Sequence, residues 1–302
     1  MFKAPLSQPL AAGLGAYLLW GFLPLFLKLL QPTTPMEVLA HRIAWSFAFV
    51  GLALLALRGG WGWIREGVLV RTAWPKLLLT SVLIGINWLI YIWAVDNHFV
   101  VEASLGYFIN PLVNVVLGVL VFGERLGVGG KVGGALAAVG VLVISYGNLS
   151  TVWISLALAA SFATYGVLKK KAHLSGLQGL AVESAFLLPL ALGYLSFLGV
   201  TGSLQAATSP LMFVLLALSG LVTALPLWLF AIAAPRLPFG VLGIMQYLGP
   251  TIQFVLGITF FGQRVTASYW GGLILVWVGS AVYLWLSLRE TNAGQRDVAE
   301  PA

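Results

Sequence analysis

Glu37, His41 and Arg42 stand close together in an otherwise apolar stretch, EVLAHRIAWSFAFVGLALLA. A spacing of four puts Glu37 and His41 on one helical face, and Arg42 lies about 100° round from His41. Such a group can bind an anion or act as a gate. It can also anchor a helix end, with Arg42 snorkelling to headgroups or pairing with Glu37. A charge at the bilayer centre costs about 2.5–3.5 kcal/mol on insertion scales, so the few charges retained inside are the first candidates for function. Arg42 is the deepest of these three.

Further along, Glu102, Tyr107, Asn110, Pro111 and Asn114 fall within thirteen residues. Glu102, about one turn inside its apolar run, is a candidate proton or cation acceptor. Asp96 and His98 lie at the preceding run's end, where water is the expected partner. Asn110 is about 15 Å from either surface. Pro111 deprives the carbonyl of Tyr107 of its usual partner. A helix broken at that depth is tolerated where it lines a cavity. Asn110 and Asn114 share a face and can bond a solute, or they can glue helices together. Gln246, Tyr247, Pro250 and Gln253 repeat the pattern at corresponding depth.

Glu183 is expected to be a coupling or gating carboxylate, or else the partner of Arg236 or of the lysines at 169–171. Trp20, Trp88 and Tyr165 can line a pocket and stack on a planar solute; the alternatives are lipid-facing or packing roles. Seen together, Trp20, Arg42, Trp88, Tyr107, Asn110, Asn114, Tyr165, Gln246, Tyr247 and Gln253 are the candidate solute contacts. Glu37, His41, Glu102, Pro111, Glu183 and Pro250 are the candidates for coupling or gating.

The elements that must position them are membrane helices. The chain of 302 residues is 60% hydrophobic and 8% charged. That leaves too little polar surface for a water-soluble domain. Ten apolar runs are each long enough to cross about 30 Å of hydrocarbon: 9–30, 35–57, 73–95, 100–122, 128–148, 152–168, 177–199, 210–234, 238–261 and 266–287. They are solidly apolar rather than alternating, so helices are implied and a barrel is not. The first run reads as a span rather than a signal peptide, being too long and lacking a small-residue cleavage site. Cysteine is absent, which excludes thiolate chemistry and disulfides, and the three histidines have no metal-ligand spacing. No cofactor or metal is expected.

The net charge of +7 is topological rather than a sign of nucleic-acid binding. With the N-terminus inside, thirteen Lys and Arg fall on the cytoplasmic side and two, Lys28 and Arg264, outside; Arg42 lies within a span. That asymmetry supports ten spans with both termini cytoplasmic. The polar segment 289–302 is expected to be a disordered cytoplasmic tail.

An internal repeat organises these spans. NPLVNVVLGVLVFGER at 110–125 returns as GPTIQFVLGITFFGQR at 249–264, with seven of sixteen positions identical. The register holds through Gly133/Gly272 and Gly140/Gly279. The repeat gives two units, 9–148 and 152–288, of five spans each. Five is odd, so the second unit must enter the membrane inverted. Inverted repeats give a physical route to alternating access, with the solute between the halves near the midplane. The glycine-rich fifth and tenth spans are expected to be packing helices or a dimer face, so monomer and homodimer are both open.

The run NWLIYIWAVDNHFVVEASLGYFINPLVNVVLGVLVFGER at 87–125 resembles the RarD branch of the EamA transporters, within the drug/metabolite transporter superfamily. AYLLWGFLPLFLK, EVLAHRIAWS and QYLGPTIQFVLGITFFG carry the same resemblance, which covers essentially all of 9–288. It implies an all-α integral membrane protein with ten transmembrane helices as two inverted five-helix EamA-type repeats. It also implies a bacterial inner membrane and permeation or export of small organic solutes, chloramphenicol-type compounds among them. The expected partners are a small-molecule solute and the lipid bilayer. An intramembrane enzyme competes poorly: Asp occurs only at 96 and 297, and no HExxH or P-loop is present. A scaffold would not need costly polar residues at midplane depth.

Overall fold

The computed structural model describes residues 7–56, 62, 64, 68, 73–123, 127–170, 174, 176–237 and 239–299; at 114, 115, 118, 122, 147, 170, 239, 240, 284 and beyond 286 only the backbone is described. Among the described residues the regular elements are eleven α-helices: α1 Ser7–Leu29, α2 Pro35–Ala56, α3 Trp74–Asp96, α4 Val100–Phe122, α5 Val128–Gly147, α6 Val152–Lys170, α7 Gly176–Val200, α8 Pro210–Ala233, α9 Phe239–Met245, α10 Leu248–Thr259 and α11 Ala267–Ala299. A 3-10 turn, Gln205–Ala207, precedes α8. Among the described residues eight stretches are long and apolar enough to cross a membrane, and two shorter apolar ones lie in α4 and α11. The chain is therefore a multi-pass, all-helical membrane protein. Many large apolar side chains face outward, as lipid contact requires.

The apolar run at 238–261 is one stretch in sequence but two helices in space. Gln246 and Tyr247 form a turn between α9 and α10. Pro250 has no N–H to give to the carbonyl of Gln246, four residues back, and the chain breaks there. Gly243 and Gly249 lower the helix propensity of the same segment by about 1 kcal/mol each. The expected break in the fourth span does not occur: α4 runs unbroken through Pro111. One lost hydrogen bond is absorbed where the helix is packed against α6 and α10. The expected end at 287 also moves, because α11 continues through the polar segment to Ala299. No proline interrupts that segment before Pro301.

The packing pairs fall in matched sets. α1 lies on α8 and on α10, while α6 lies on α3 and on α4. α2 packs on α7 and α8, and α7 also packs on α3. α5 and α11 pair most extensively, and they cross antiparallel. A Cβ on Gly133 would lie 2.5 Å from the carbonyl oxygen of Gly279, and one on Gly140 would lie 2.5 Å from that of Gly272. Only glycine permits this approach of backbone to backbone. The largest apolar core gathers α1, α2, α3, α4, α6, α7 and α8, and a second joins α4, α5, α10 and α11.

Candidate functional site

Arg42 is 5% exposed, seven residues into α2. At about 1.5 Å per residue it lies about 10 Å below the start of that helix. Its Nε donates to Thr223 Oγ1 of α8 at 2.6 Å. Its guanidinium lies over the Trp88 ring of α3, 4.7 Å from the centroid. The other ionisable groups acting on it are the hydroxyls of Tyr91 and Tyr107. Nη1 is buried and has no hydrogen-bond partner. Arg42 thus joins α2, α3 and α8 without a carboxylate beside it.

A polar and aromatic strip continues from this point. The rings of Tyr91 and Tyr107 stand 5.7 Å apart, and Tyr107 Oη donates to Asn87 Oδ1 at 3.4 Å. Asn87 Nδ2 donates to Leu158 O at 3.0 Å and Ser161 Oγ at 2.9 Å on α6. Phe162 touches Tyr107 edge-on and leads to Tyr165, 5.9 Å away. Tyr165 Oη donates to Glu183 Oε2 at 3.2 Å. Lys169 Nζ contacts Tyr165 Oη and reaches Glu183 Oε1 at 3.0 Å. Of the two partners expected for Glu183, Lys169 is the one found; Arg236 is exposed and bonds Ile232 O instead.

The members of the group on α2 do different things. Glu37, 1% exposed, accepts from the backbone N–H of Ala206 at 3.1 Å and so holds the 3-10 turn before α8. It does not pair with Arg42. His41 is 3.9 Å from Glu37 Oε1, too far for a hydrogen bond, and both of its ring nitrogens are buried without partners. Glu102 binds outside the strip: its Oε2 accepts from Gln263 Nε2 at 3.0 Å, while Gln263 Oε1 accepts from Val101 N at 2.9 Å. Gln263 lies between α10 and α11, so this clamp ties the start of α4 to the other half of the chain.

Around the break in the ninth span, Gln253 is buried and donates through Nε2 to Trp20 O of α1 at 2.9 Å. Its Oε1 is left over, as is Asn110 Oδ1 on α4. The Trp20 ring packs with Tyr17 and Phe230. Tyr247 stacks on Phe108, and its hydroxyl faces Ser280 without completing a hydrogen bond. Gln246 is half-buried, and Pro111 and Pro250 are buried. The side chain of Asn114 lies outside the described residues.

Of the expected site residues, Arg42, Trp88, Tyr107, Tyr165 and Glu183 therefore lie along one strip, and Trp20, Asn110, Tyr247 and Gln253 lie about α10. Sequence reasoning missed Asn87, Tyr91, Thr223 and Gln263. A signal existed for Asn87, an amide in an apolar span that is costly unless bonded. None existed for Thr223, whose hydroxyl is cheap in a helix because it can bond a carbonyl four residues back. It does so, to Ser219 O at 2.8 Å.

Comparison with known proteins gives a consistent answer. The EamA-like transporter family matches residues 9–146. The chain is 51% identical over 281 residues to "Protein RarD" of Streptomyces exfoliatus, covering 92% of this chain and 88% of that one. It is 39% identical over 290 residues to "Uncharacterized transporter YojE" of Bacillus subtilis (strain 168), covering 93% and 94% respectively. A solved crystal structure superposes with a TM-score of 0.60 at 18% identity, over 91% of this chain and 97% of that one, a likeness of fold alone.

Proposed function

The chain belongs to the EamA-like transporter family, and from that premise we propose that it is a secondary transporter of small organic solutes that works by alternating access. It is a membrane transporter of this family and not an enzyme. The finer reading is two five-helix repeats, 9–148 and 152–288, of inverted topology in a bacterial inner membrane, with both termini cytoplasmic. The family match ending at residue 146 supports the first boundary. The antiparallel crossing of α5 with α11, through equivalent glycines, supports the inversion.

The observation that carries the transport reading is a set of buried polar atoms without partners where the halves meet: Arg42 Nη1, Asn110 Oδ1 and Gln253 Oε1. Buried polar atoms are nearly always satisfied, so a group left open in a closed state points to a missing partner. The solute supplies it between α2, α4 and α10, with Trp20, Trp88, Tyr107, Tyr165, Gln246 and Tyr247 as aromatic and amide walls and Asn114 on the same helix as Asn110. Glu37, His41, Glu102 and Glu183 are the coupling or gating groups, with Pro111 and Pro250 as the points where α4 and the ninth span yield. Lipid and one solute are the partners, in a monomer or homodimer. Flux into proteoliposomes, with and without a pH gradient, tests this with amino acids, aromatic metabolites and chloramphenicol. Flux of at least one is expected. No flux of any would overturn it.

A further inference from the structure

Trp45 on α2 meets Phe213 on α8, and Trp74 on α3 meets Phe186 on α7, at 5.8 Å and 6.0 Å with interplanar angles of 86° and 87°. Phe213 follows Trp74 by the 139-residue offset of the repeat, so Trp45 and Phe186 hold equivalent places in the two halves. Arg42 and Glu183 each stand three residues before them. The two buried charges are therefore counterparts of opposite sign. They are not treated alike. Glu183 has a cation, Lys169, at 3.0 Å. Arg42 has no anion: among the described residues the carboxylates within 4 Å of a basic side chain are Glu183, beside Lys169, and Glu37, beside the His41 ring. Glu37, the acid on the same helix, is engaged by the 3-10 turn.

A buried guanidinium without a counter-charge is costly, because the charge has lost its hydration and gained no partner. The surroundings do not replace that partner. Thr223 takes Nε, and the Trp88 face takes part of the charge, but Nη1 has nothing. The hydroxyl of Tyr91, on the same helix as Trp88, is also buried and unbonded. The hydroxyl of Tyr107 holds only its 3.4 Å bond to Asn87. The Arg42 guanidinium with its indole floor and the unbonded Tyr91 hydroxyl, whose ring packs near Tyr107, belong to one packed neighbourhood. A carboxylate fits them: it takes parallel N–H bonds from a guanidinium and further bonds from hydroxyls. The aromatic side chains around it, Trp88, Tyr91, Tyr107 and Phe162, suit a ring attached to that carboxylate.

Resting on the transporter reading, and naming its substrate class, we infer that the solute is an organic monocarboxylate with a planar apolar body, whose carboxylate binds Arg42 Nη1 and the Tyr91 hydroxyl. Its charge completes in the occluded state the pair that Arg42 lacks. Lys169 fills the equivalent need at Glu183 permanently, so one end of the strip is closed by the protein and the other by the cargo.

Three solutes with one ring and different charge test this: phenylacetate, phenethylamine and 2-phenylethanol, each labelled, in counterflow into proteoliposomes of the full chain. Phenylacetate is expected to accumulate at least tenfold over the other two. Arg42→Lys keeps the charge but loses the fork, and should raise KM for phenylacetate about tenfold with little change in maximal rate. Arg42→Gln should remove phenylacetate uptake. If Arg42→Gln does not survive extraction, the wild-type ranking decides. Uptake of the alcohol or the amine in preference to phenylacetate would overturn the inference and leave the transporter reading standing. Chloride that enters as readily as phenylacetate and displaces it would overturn it by making Arg42 a simple halide site. Absence of flux for these and for every solute of the broader panel would overturn both readings together.

Discussion

Phe108 of α4 and Tyr247, in the break before α10, stack with ring centroids 6.2 Å apart and planes 23° apart. They are separated by 139 residues, the offset of the internal repeat. In the proposed inverted repeat, equivalent residues that touch each other lie on the axis relating the two halves. The glycine pairs of α5 and α11 are exchanged by the same operation, Gly133 with Gly279 against Gly272 with Gly140. The expected core of the movement is this axis, with the Arg42 strip to one side of it.

The α2–α8 contact is the tightest support of Arg42. A Cβ on Gly220 would lie 2.5 Å from Ser46 N, and Ser46 Oγ already donates to Gly220 O at 3.4 Å. Gly220→Ala should push α8 off α2 and lengthen the Arg42–Thr223 bond. A loss of about 1–3 kcal/mol is expected from this overpacking. Gly134→Ala is the control, since a Cβ there meets nothing within 4 Å and Ala is the better helix former. Thermal unfolding in detergent should show the first variant destabilised and the second unchanged or stabilised.

Lys169 and Glu183 should behave as a coupled pair. Glu183→Gln leaves the ammonium of Lys169 without its anion. The cost should fall at the low end of about 3–5 kcal/mol, because Lys169 is 21% exposed and can reach water. The double change Lys169→Met with Glu183→Gln should restore part of the loss. A double-mutant cycle on denaturation midpoints reads this directly, and simple additivity of the two changes would contradict it.

Glu102 gives a prediction about coupling. It is tied to Gln263, across the seam between the halves. If it carries the proton, Glu102→Gln should abolish the acceleration of flux by a pH gradient while exchange without a gradient persists. An unchanged gradient dependence would leave Glu102 as a clamp for Gln263 alone.

Topology can be read with single cysteines, because the native chain has none. Ser203 and Arg236 are both exposed at opposite ends of α8. With both termini inside, Ser203→Cys should react with an impermeant maleimide in intact spheroplasts. Arg236→Cys should react only after permeabilisation. The reverse pattern would invert the proposed orientation.

The all-helical, multi-pass character was legible because spanning a membrane imposes about 20 apolar residues on each helix, while the split of the ninth run and the far end of α11 were not. That Arg42 and Glu183 lie within apolar helices, where they are buried, was legible for the same reason. Partners were not. Glu37 looked like a mate for Arg42, yet it serves the N–H of Ala206, 169 residues away. Pro111 and Pro250 looked alike, yet only the second breaks its helix. Asn87 stood within a recognisable motif and still gave no hint that it bridges Tyr107 to α6.

By itself, then, the sequence determined that this chain is a duplicated bundle of membrane helices with a few buried charges, because hydrophobicity and repetition are properties of the chain in order. The tertiary structure alone decided which of those charges is answered. Glu183 meets Lys169 because α6 and α7 fold back as neighbours, whereas Arg42 meets a threonine and an indole from helices distant in sequence. Pairing depends on which faces of separate helices are pressed together, and no local spacing encodes that.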